Sequence, residues 1–421
     1  MLATGVHAQQ PGATSIDALV AEALRGNPEI QAAKHEQRAA GQRVRSAGAL
    51  DDPMLEAGVL NVPAPSGSFR REDMTMKMLG LSQKLPYPGK RGLREDVAGK
   101  EAELAGYGYR ETVNRVTRDV RNACFDLALV AESTRLVTQN KLVLEQFLKI
   151  AESRYSVGQG AQADVLKAQT QLSKMMDELL RLERERPSVE AELARLLGRR
   201  GATVAMDAEK LPEVRQPALA FANLRDAALK NRPQLLGLQV AIERAGKALE
   251  LARKDYYPDF DLRLAYGQRD ATLMGERRDD MVSLTLAINL PVWRDAKLGP
   301  RVAEAEAMRE QALELYRAQE NELASKLRQQ IAMAEQSAKS YALYASTILP
   351  QARLSVDASL SSYRVNRTDF LTLLDSQMTA FGYETSLAQA AVNFQKALAE
   401  IDFLTGKSPD SIEPTPQRGA K

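Results

Sequence analysis

The chain has 421 residues, which is long enough for several domains and ample for a sizeable core. Its formal net charge of +2 argues neither for nor against a nucleic-acid partner, and no such partner is expected. Charged residues make up 27% of the chain and aromatic residues only 5%, a balance typical of long, surface-exposed helices. No run of 18 apolar residues occurs, which argues against a transmembrane helix, and the single cysteine excludes an intrachain disulfide.

Residues 1–16 are interpreted as the remnant of a secretory signal. Val6, His7 and Ala8 resemble a small-residue cleavage site, although a charged start and most of the apolar stretch of a signal peptide are missing. The segment makes export plausible. No cysteine follows the cleavage pattern, so a lipid anchor is not expected there.

The next part of the chain predicts a helix followed by two strands. A helical pattern over 17–53 begins after the capping residues Thr14 and Ser15 and ends at Pro53. Two short apolar stretches within 54–85 are separated by a loop rich in Pro, Ser and charged residues. Together they predict a first β-hairpin.

Long helices are predicted over 86–198. Apolar side chains recur in a heptad pattern on both sides of a turn at Ser156–Gly160, which predicts two antiparallel helices packed as a coiled coil. Pro187 is expected to kink the second of them. A linker that contains two prolines then covers 199–222.

Strict period-two alternation within 258–291 predicts two strands with one apolar face and one polar face. Strands of about 10 residues with this pattern suit a lipid-spanning barrel, although a hairpin of a soluble sandwich shows the same pattern. The side chains predicted to face lipid are Phe260, Leu262, Leu264 and Tyr266 in the first strand and Leu284, Leu286 and Ile288 in the second.

The second half of the chain repeats the first. Ala23–Pro28 matches Ala228–Pro233, and Leu85 and Pro86 match Leu290 and Pro291 at the same sequence offset. Further along, the offset grows by three residues, and Tyr155 matches Tyr363. The second copy therefore comprises a helix over 223–257, the β-hairpin over 258–291 and a helical hairpin over 292–406, followed by a tail over 407–421 that is predicted to be disordered.

Four strands from one chain cannot close a barrel that spans lipid, because every strand edge must be paired. The sequence therefore predicts a mostly α, internally duplicated protein with a membrane β-barrel shared among chains. Long antiparallel coiled-coil helical hairpins are expected to accompany the four strands of each chain.

The motif Leu24–Pro28, the paired helix turns at Tyr155/Gly158 and Tyr363/Asn366, and the duplication carry a resemblance to the TolC-like outer-membrane factor family. It covers nearly the whole chain. The resemblance implies a homotrimer in outer-membrane lipid, with a 12-strand barrel continued by an α-helical tube across the periplasm. It also implies a passive exit duct of a tripartite efflux system, partnered by a periplasmic adaptor (a membrane fusion protein) and an inner-membrane RND-type pump. Such a duct is not an enzyme and has no cofactor.

A finer resemblance is to the branch of this family that accompanies heavy-metal cation pumps. Four segments carry it: Asp51–Met54, Asn61–Pro63, Arg71–Thr75 and Leu81–Arg91. The chain itself has no Cys or His pair at metal-ligand spacing, so no metal site is expected.

Three methionines, Met74, Met76 and Met78, are predicted to lie on one face of a strand. Their thioethers could touch soft Cu(I) or Ag(I). Contact with lipid or with a neighbouring strand is the favoured interpretation, because methionine readily fills apolar surfaces.

The resemblance assigns a gate at the periplasmic entrance to the helix turns. Asp375 corresponds to an acidic ring at that entrance, and Asp164 to an acid that ties neighbouring hairpins to a basic partner. Arg364 and Arg367 are the candidate partners, and Tyr363 is a candidate hydrogen-bonding latch. The alternative is that these charges are simply solvated hairpin faces, because exposed ion pairs contribute little.

Three turn residues, Gly158, Gly160 and Asn366, are the expected positions for adaptor docking. Asn366 departs from the glycine usual at this turn, but asparagine tolerates the left-handed conformation. Thr372 stands where some relatives carry a second acid, which argues against a cation-trapping double ring.

Two alternatives to a metal duct stay open. The duct could serve drug efflux or type I secretion, since selectivity is expected to lie largely in the pump. A soluble periplasmic coiled-coil scaffold with incidental hairpins is the other. An enzyme is not expected, because no nucleophile constellation, phosphate loop or clustered metal site occurs.

Overall fold

A computed structural model describes residues 15–64, 66–199, 214–215 and 219–407. The signal remnant as far as residue 14, most of the linker over 199–222 and the tail after residue 407 lie outside the described residues. Within those ranges, no helix is both long enough and apolar enough to cross a membrane.

Long helices and four strands follow one another in the same order in both copies. The first copy contains α1 (Ile16–Gly26), α2 (Pro28–Ala47), β1 (Met54–Leu60), β2 (Met76–Leu85), α3 (Lys90–Ser156) and α4 (Gln162–Leu197). The second contains α5 (Phe221–Asn231), α6 (Pro233–Lys254), β3 (Phe260–Gln268), β4 (Met281–Ile288), α7 (Gly299–Leu343), α8 (Leu349–Arg364) and α9 (Phe370–Leu404). Two π-helical turns, Arg294–Leu298 and Tyr344–Ile348, precede α7 and α8. The predicted fold class of long helices with four strands is confirmed.

The predicted single helices over 17–53 and 223–257 are both wrong. The chain breaks at Asn27 and at Arg232, each directly before a proline, and forms α1 and α2 in the first copy and α5 and α6 in the second. Proline disfavours the helical conformation in the residue before it, and Asn27 precedes Pro28 with an extended backbone (φ −67°, ψ 123°). The Asn27 side chain accepts hydrogen bonds from the amides of Glu29 (2.8 Å) and Ile30 (3.1 Å), so it caps α2. Its amide group also donates to the carbonyl of Leu196 (2.7 Å).

The chain divides into two compact units, each of which contains parts of both copies. The helical unit takes in the described residues of 1–33, 109–233 and 320–421. The sheet unit comprises Lys34–Gly108 and Gln234–Gln319 and holds all four strands.

Heptad side chains of α3 and α4 form much of the core of the helical unit, as predicted for a coiled coil. They pack with side chains of α9, which arrive from the second copy. One buried cluster contains Val137 and Leu144 of α3, Met175 and Leu182 of α4, and Leu373 and Leu374 of α9.

Two glycines lie at equivalent positions in the two copies, where the end of one helix packs closely against the end of another. Gly198 (φ 74°) ends α4 against the end of α1, where an added Cβ would lie 2.4 Å from the carbonyl oxygen of Gly26. Gly406 (φ 67°) follows α9 and approaches the end of α5, where an added Cβ would lie 2.5 Å from the carbonyl oxygen of Asn231. Only glycine fits both the left-handed backbone and this close approach. The duplication seen in the sequence therefore extends to backbone packing.

The sheet unit contains one antiparallel sheet with the strand order β1-β2-β3-β4. Leu55 lies opposite Leu81, Leu81 opposite Leu264, and Leu264 opposite Leu284, so residues of like character align across all four strands. The prediction that Met74 shares a strand with Met76 is wrong, because β2 begins at Met76.

Candidate functional site

The sheet has one face that is apolar on every strand and exposed to its surroundings. The predicted lipid-facing residues of β3 and β4 all lie on this face, and Phe260 is the least exposed of them. A contiguous exposed apolar surface of this extent marks contact with a membrane or with another protein. Its exposed members are Leu55 and Val59 of β1, Leu79 and Leu81 of β2, Leu262, Leu264 and Tyr266 of β3, and Val282, Leu284, Leu286 and Ile288 of β4.

The opposite face of the sheet carries charged and small side chains. Arg263 of β3 forms an ion pair with Glu56 of β1 (3.1 Å), and Asp261 lies opposite Lys84 in the register. One carboxylate oxygen of Asp261 is buried and accepts no hydrogen bond from the described residues. This face is therefore suited to water rather than to lipid.

Met76 and Met78 lie on this charged face, in register with Gly267 and its neighbours. Met76 is buried over Gly267, where an added Cβ would lie 2.5 Å from the Met76 sulfur. The predicted contact with a neighbouring strand is therefore confirmed for Met76, which covers β3. The predicted contact with lipid is wrong for both methionines, because neither lies on the apolar face. Among the described residues no group of three or more His, Cys, Asp and Glu side chains could hold a metal ion.

Both edges of the sheet lack a partner strand within the described chain. β1 pairs only with β2, and β4 pairs only with β3. Each edge thus offers a row of backbone donors and acceptors to another strand.

The two loops at the far end of the strands are joined by arginines. Arg278, whose side chain is 8% exposed, donates to the carbonyl of Glu72 (3.1 Å) and forms an ion pair with Asp73 (2.7 Å). Arg269 donates to the carbonyls of Asp279 (2.6 Å) and Asp73 (3.3 Å). These contacts hold the loop after β1 against the loop after β3.

The two helix turns of the helical unit close with the same backbone geometry. In the α3–α4 turn, Gly158 has φ 73° and the amide of Gln159 donates to the carbonyl of Arg154 (2.8 Å). In the α8–α9 turn, Asn366 has φ 59° and the amide of Arg367 donates to the carbonyl of Ser362 (2.9 Å). This is the left-handed closure that commonly ends helices, and Asn366 adopts it as predicted.

The side chains of the two turns differ sharply. Tyr363 is 3% exposed and packs against Phe370, with a ring-centroid distance of 5.6 Å, whereas Tyr155 is 48% exposed. Arg154 lies over the Tyr363 ring at 4.4 Å and donates to the carbonyl of Tyr363 and to the side chain of Asn366. One arginine of the first hairpin thus binds the turn of the second.

Sequence reasoning missed Arg154. Its alignment partner in the second copy is Ser362, since Tyr155 aligns with Tyr363. The two copies therefore differ at this position, with a cation in the first and a serine in the second. This difference was the one feature of the sequence that could have pointed to Arg154. Its contact with Tyr363 spans 209 residues, which no local pattern reveals.

The hydroxyl of Tyr363 is buried and has no hydrogen-bond partner among the described residues. Burial raises the pKa of the Tyr363 phenol above its ordinary value, the Asp164 carboxylate raises it further, and the Arg154 guanidinium opposes them. The contacts that hold Tyr363 therefore involve its ring and its carbonyl. A hydrogen-bonding latch through the hydroxyl stays a prediction.

The other predicted gate residues lie near the turns without pairing to one another. Arg364, Arg367 and Asp375 are exposed and Asp164 is half-buried. Within the described chain, Asp164 forms no ion pair with Arg364 or Arg367. Their charges are thus available to a neighbouring molecule.

The starts of α4 and α9 are also unequal. Asp369 caps α9 by accepting from the amide of Thr372 (2.8 Å), and the Thr372 hydroxyl and amide lower the pKa of the Asp369 carboxyl. Ala161 occupies the same position before α4 and offers no side-chain cap. Gly160 lies close to α3, where an added Cβ would be 3.2 Å from Cβ of Arg154.

A helical hairpin pair and a four-stranded sheet with one apolar and one charged face define the class of outer-membrane channel proteins. The family model for the outer membrane efflux protein matches residues 19–199 and 224–407, which is more than half of the chain. The chain belongs to the outer membrane efflux protein family.

Relatives and solved structures extend this result. The chain is 22% identical over 373 residues to the cobalt-zinc-cadmium resistance protein CzcC of Cupriavidus metallidurans, covering 86% of each chain. It is 21% identical over 413 residues to the pyoverdine export outer membrane protein OpmQ of Pseudomonas aeruginosa, covering 92% of this chain and 85% of OpmQ. The crystal structure of CusC superposes with a TM-score of 0.79 and 14% identity over 95% of each chain.

The family membership fixes the general function and the location. The chain is an efflux channel protein of the outer membrane and extends into the periplasm. The alternative of a soluble coiled-coil scaffold is therefore excluded.

Proposed function

We propose that three copies of this chain form one exit duct through the outer membrane. The observation that carries the proposal is the sheet: its apolar face is exposed on all four strands, and both of its edges lack a partner strand among the described residues. Pairing of β4 of one chain with β1 of the next would satisfy every edge, and three chains of four strands would supply 12 strands. The charged face with Glu56, Lys84, Asp261 and Arg263 would then line the water-filled interior.

Cysteine crosslinking tests the shared barrel. In a Cys124→Ser background, Gly58→Cys of β1 is combined in turn with Met281→Cys, Ser283→Cys and Thr285→Cys of β4. At least one pair is expected to give covalent trimers on oxidation, because residues of paired strands come within disulfide reach.

The matched control combines Ser82→Cys with Thr285→Cys. Both positions lie on the charged face, but they are two strands apart, about 10 Å, which is too far for a disulfide. Monomers from every β1–β4 pair, in membranes that contain the protein, would contradict the shared barrel.

We propose heavy-metal cations as the cargo, delivered by an RND-type pump of the inner membrane through a periplasmic adaptor. The similarity to CzcC, a cobalt-zinc-cadmium resistance protein that aligns over 86% of the chain, supports this cargo. The duct itself needs no tight metal site, because strong binding would slow release.

The alternative cargo is an organic molecule, as in drug efflux, or a polypeptide, as in type I secretion. The similarity to OpmQ, named for pyoverdine export, favours the organic alternative. Deletion of the gene in its own bacterium separates the two. Lost tolerance to cobalt, zinc and cadmium supports the metal duct, whereas lost tolerance to dyes and detergents with unchanged metal tolerance contradicts it.

We propose that the helix turns form a gate that an adaptor loosens by docking near Gly158, Gly160 and Asn366. In the closed state Asp164 of one hairpin would pair with Arg364 or Arg367 of a neighbouring chain, and Asp375 would place a carboxylate ring at the entrance. Arg154 would hold Tyr363 and its turn in the closed position.

Single-channel conductance in planar bilayers tests this gate. Asp164→Asn and Arg367→Ala should each raise the conductance of the trimer, and Arg154→Ala should raise it further, because it removes contacts already formed within the chain. Ser362→Ala is the control, since Ser362 is the alignment partner of Arg154 and its side chain forms no hydrogen bond with the opposite turn among the described residues. Unchanged conductance in all three variants would contradict the gate.

A further inference from the structure

We propose that Met76, Met78 and Met281 form a weak site for a soft monovalent cation, Cu(I) or Ag(I), on the charged face of the sheet. This inference rests on the proposed function, because it requires that face to line a water-filled interior. It goes further by naming the chemistry of the cation and the side chains that bind it.

The methionines of the sheet all lie on one face. The four described strands contain four methionines, and the register places every one of them with the charged and small side chains: Met54, Met76, Met78 and Met281. The apolar side chains of the opposite face are Leu, Val, Ile, Ala, Phe and Tyr. Methionines that served only to fill apolar surface would be expected on that opposite face.

Three of these methionines converge on Gly267 of β3. Met78 of β2 and Met281 of β4 lie directly opposite Gly267 in the register, one on each side. Residues opposite each other in a sheet share a face, and their Cα atoms are about 5 Å apart. Met76 reaches the same spot from two residues away in β2, and its sulfur would lie 2.5 Å from a Cβ added at Gly267. The three side chains therefore surround a position that carries no side chain.

The backbone does not account for the glycine at this position. Gly267 does not have a positive φ, and it lies in a regular ladder between β2 and β4. Glycine inside a strand weakens the strand, and it often marks a place where a ligand or another group approaches closely. Here the approaching group is the sulfur of Met76. Gly267 thus leaves room for thioethers to come together.

Thioether sulfur determines which cations would bind. Soft ligands of this kind select Cu(I) and Ag(I), whereas nitrogen and oxygen ligands suit Zn(II) and Co(II). The next row along the same face carries the small residues Gly80, Ala265 and Ser283. Glu56 stands at the β1 end of that row, and its carboxylate is paired with Arg263 (3.1 Å). The surroundings therefore favour a soft cation over a harder one.

The site lies at the loop end of the strands. Met76 and Met281 are the first residues of β2 and β4, and Gly267 is the last residue but one of β3. Met78 and Met281 are half-buried, so a cation can reach them from the interior. The guanidinium of Arg269, just beyond β3, is held by backbone carbonyls of the loops. Weak binding at this point permits both entry and release of a cation.

Methyl NMR of the detergent-solubilised protein tests the site. The chain has 13 methionines, which are labelled with carbon-13 at the methyl group, and Cys124→Ser removes the one competing thiol. Silver nitrate is titrated in a chloride-free buffer. We expect the signals of Met76, Met78 and Met281, assigned by Met→Leu variants, to move together and to saturate at one Ag(I) per chain. Zinc and cobalt nitrate should leave them unmoved.

Two glycine variants test the geometry while every thioether is kept. In Gly267→Ala the added Cβ displaces the Met76 sulfur, so the Ag(I) concentration at half-saturation should rise about tenfold. Gly80→Ala is the matched control on the same face. Its added Cβ would lie at an ordinary 3.5 Å from Cβ of Ala265, so Ag(I) binding should stay unchanged.

Unsaturated movement of all the methionine signals alike would show adventitious thioether binding only and would overturn the site. Equal Ag(I) affinity in Gly267→Ala and Gly80→Ala would overturn it too, and saturation of the three signals by zinc or cobalt would overturn the preference for soft cations. The mass of the same samples separates this site from the proposed duct. Trimers in which the three signals do not respond contradict the site alone, whereas saturable Ag(I) binding by a protein that forms no trimers supports the site and contradicts the duct.

Discussion

The two helix turns share a backbone path and differ in nearly every side-chain contact. Both close through a left-handed residue, Gly158 or Asn366, and through equivalent backbone hydrogen bonds. Yet Tyr363 is buried beneath Arg154, and its counterpart Tyr155 faces outward. The duplication therefore preserves the positions at which the chain turns. Single differences between the copies, such as Arg154 in the first and Ser362 in the second, determine which turn is fixed by side-chain contacts.

The two turns are fixed by their own chain to different degrees. The α8–α9 turn is fixed by Arg154, Phe370 and the Asp369 cap, all within its own chain. In the α3–α4 turn Tyr155 is exposed, and α4 begins without a side-chain cap. The valines do not differ, because Val157 and its counterpart Val365 are both exposed. We therefore expect the first turn to be the less rigid of the two and to offer a tyrosine ring, that of Tyr155, that the second turn keeps buried.

The largest difference between the turns is expected on truncating the tyrosines. Tyr363→Ala removes a buried ring and should destabilise the α8–α9 turn by about 3 kcal/mol, whereas Tyr155→Ala should cost less than about 0.5 kcal/mol. Hydrogen exchange of the turn amides in the detergent-solubilised protein measures both. Similar losses of protection in the two variants would show that the two tyrosines contribute equally to their turns.

Removing the linking arginine should have the next largest effect. Arg154→Ala loses the cation–π contact and two hydrogen bonds to the second turn, at an expected cost of about 2 kcal/mol. Ser362→Ala is the matched control and should change stability by less than about 0.5 kcal/mol. The exchange data should show faster opening of the α8–α9 turn, although the mutation lies in α3. Faster exchange confined to the α3–α4 turn would be the contrary result.

The left-handed residues provide a smaller test. Gly158→Ala places a side chain at φ 73° and should cost about 1 kcal/mol. Asn366→Gly relaxes the backbone but loses the contact with Arg154, so the two effects should nearly cancel. Unfolding in urea, monitored by circular dichroism, gives both values. A stabilising Gly158→Ala would show that the two turns are not closed in the same way.

The smallest effect concerns pH. Because the pKa of Tyr363 is raised in the folded protein, its contribution is fully present below the ordinary value of 10.0 and is lost as pH rises through the raised value. Tyr363→Phe should remove this loss. Its stability at pH 7 should equal or slightly exceed that of the wild type, since the buried hydroxyl has no hydrogen-bond partner in the described part of the chain. Urea unfolding at pH 7 and above pH 10 tests both expectations. An identical alkaline loss in Tyr363→Phe would assign the effect to another group.

The sequence predicted the sheet well because period-two alternation is a local pattern that one buried or lipid-facing face imposes. Phe260 to Tyr266 and Leu284 to Ile288 therefore fall on the apolar face as predicted. The weaker strand β2 was predictable from its better-patterned copy. The face of the sheet on which Met76 lies could not be predicted. It depends on the register of β2 with β3, and β3 is formed by residues far along the chain.

The candidate site was less predictable than the fold. The turns themselves follow from Gly158 and Asn366, whose conformations are local properties. The burial of Tyr363 and its contact with Arg154 depend on how two hairpins pack, and the two copies share nearly identical local patterns there. The break at Asn27 could have been predicted from the Asn27–Pro28 pair, because the residue before a proline disfavours the helical conformation. The continuous helical periodicity on both sides of the pair favoured one helix instead.

We propose that this sheet is complete only when several chains share it. The most direct measurement is the mass of the protein extracted from outer membranes, determined by native mass spectrometry after removal of detergent. We expect a mass equal to that of three chains, with extraction only by detergent. A monomer that is fully released by buffer would contradict it, because the apolar face and both open edges would then face water.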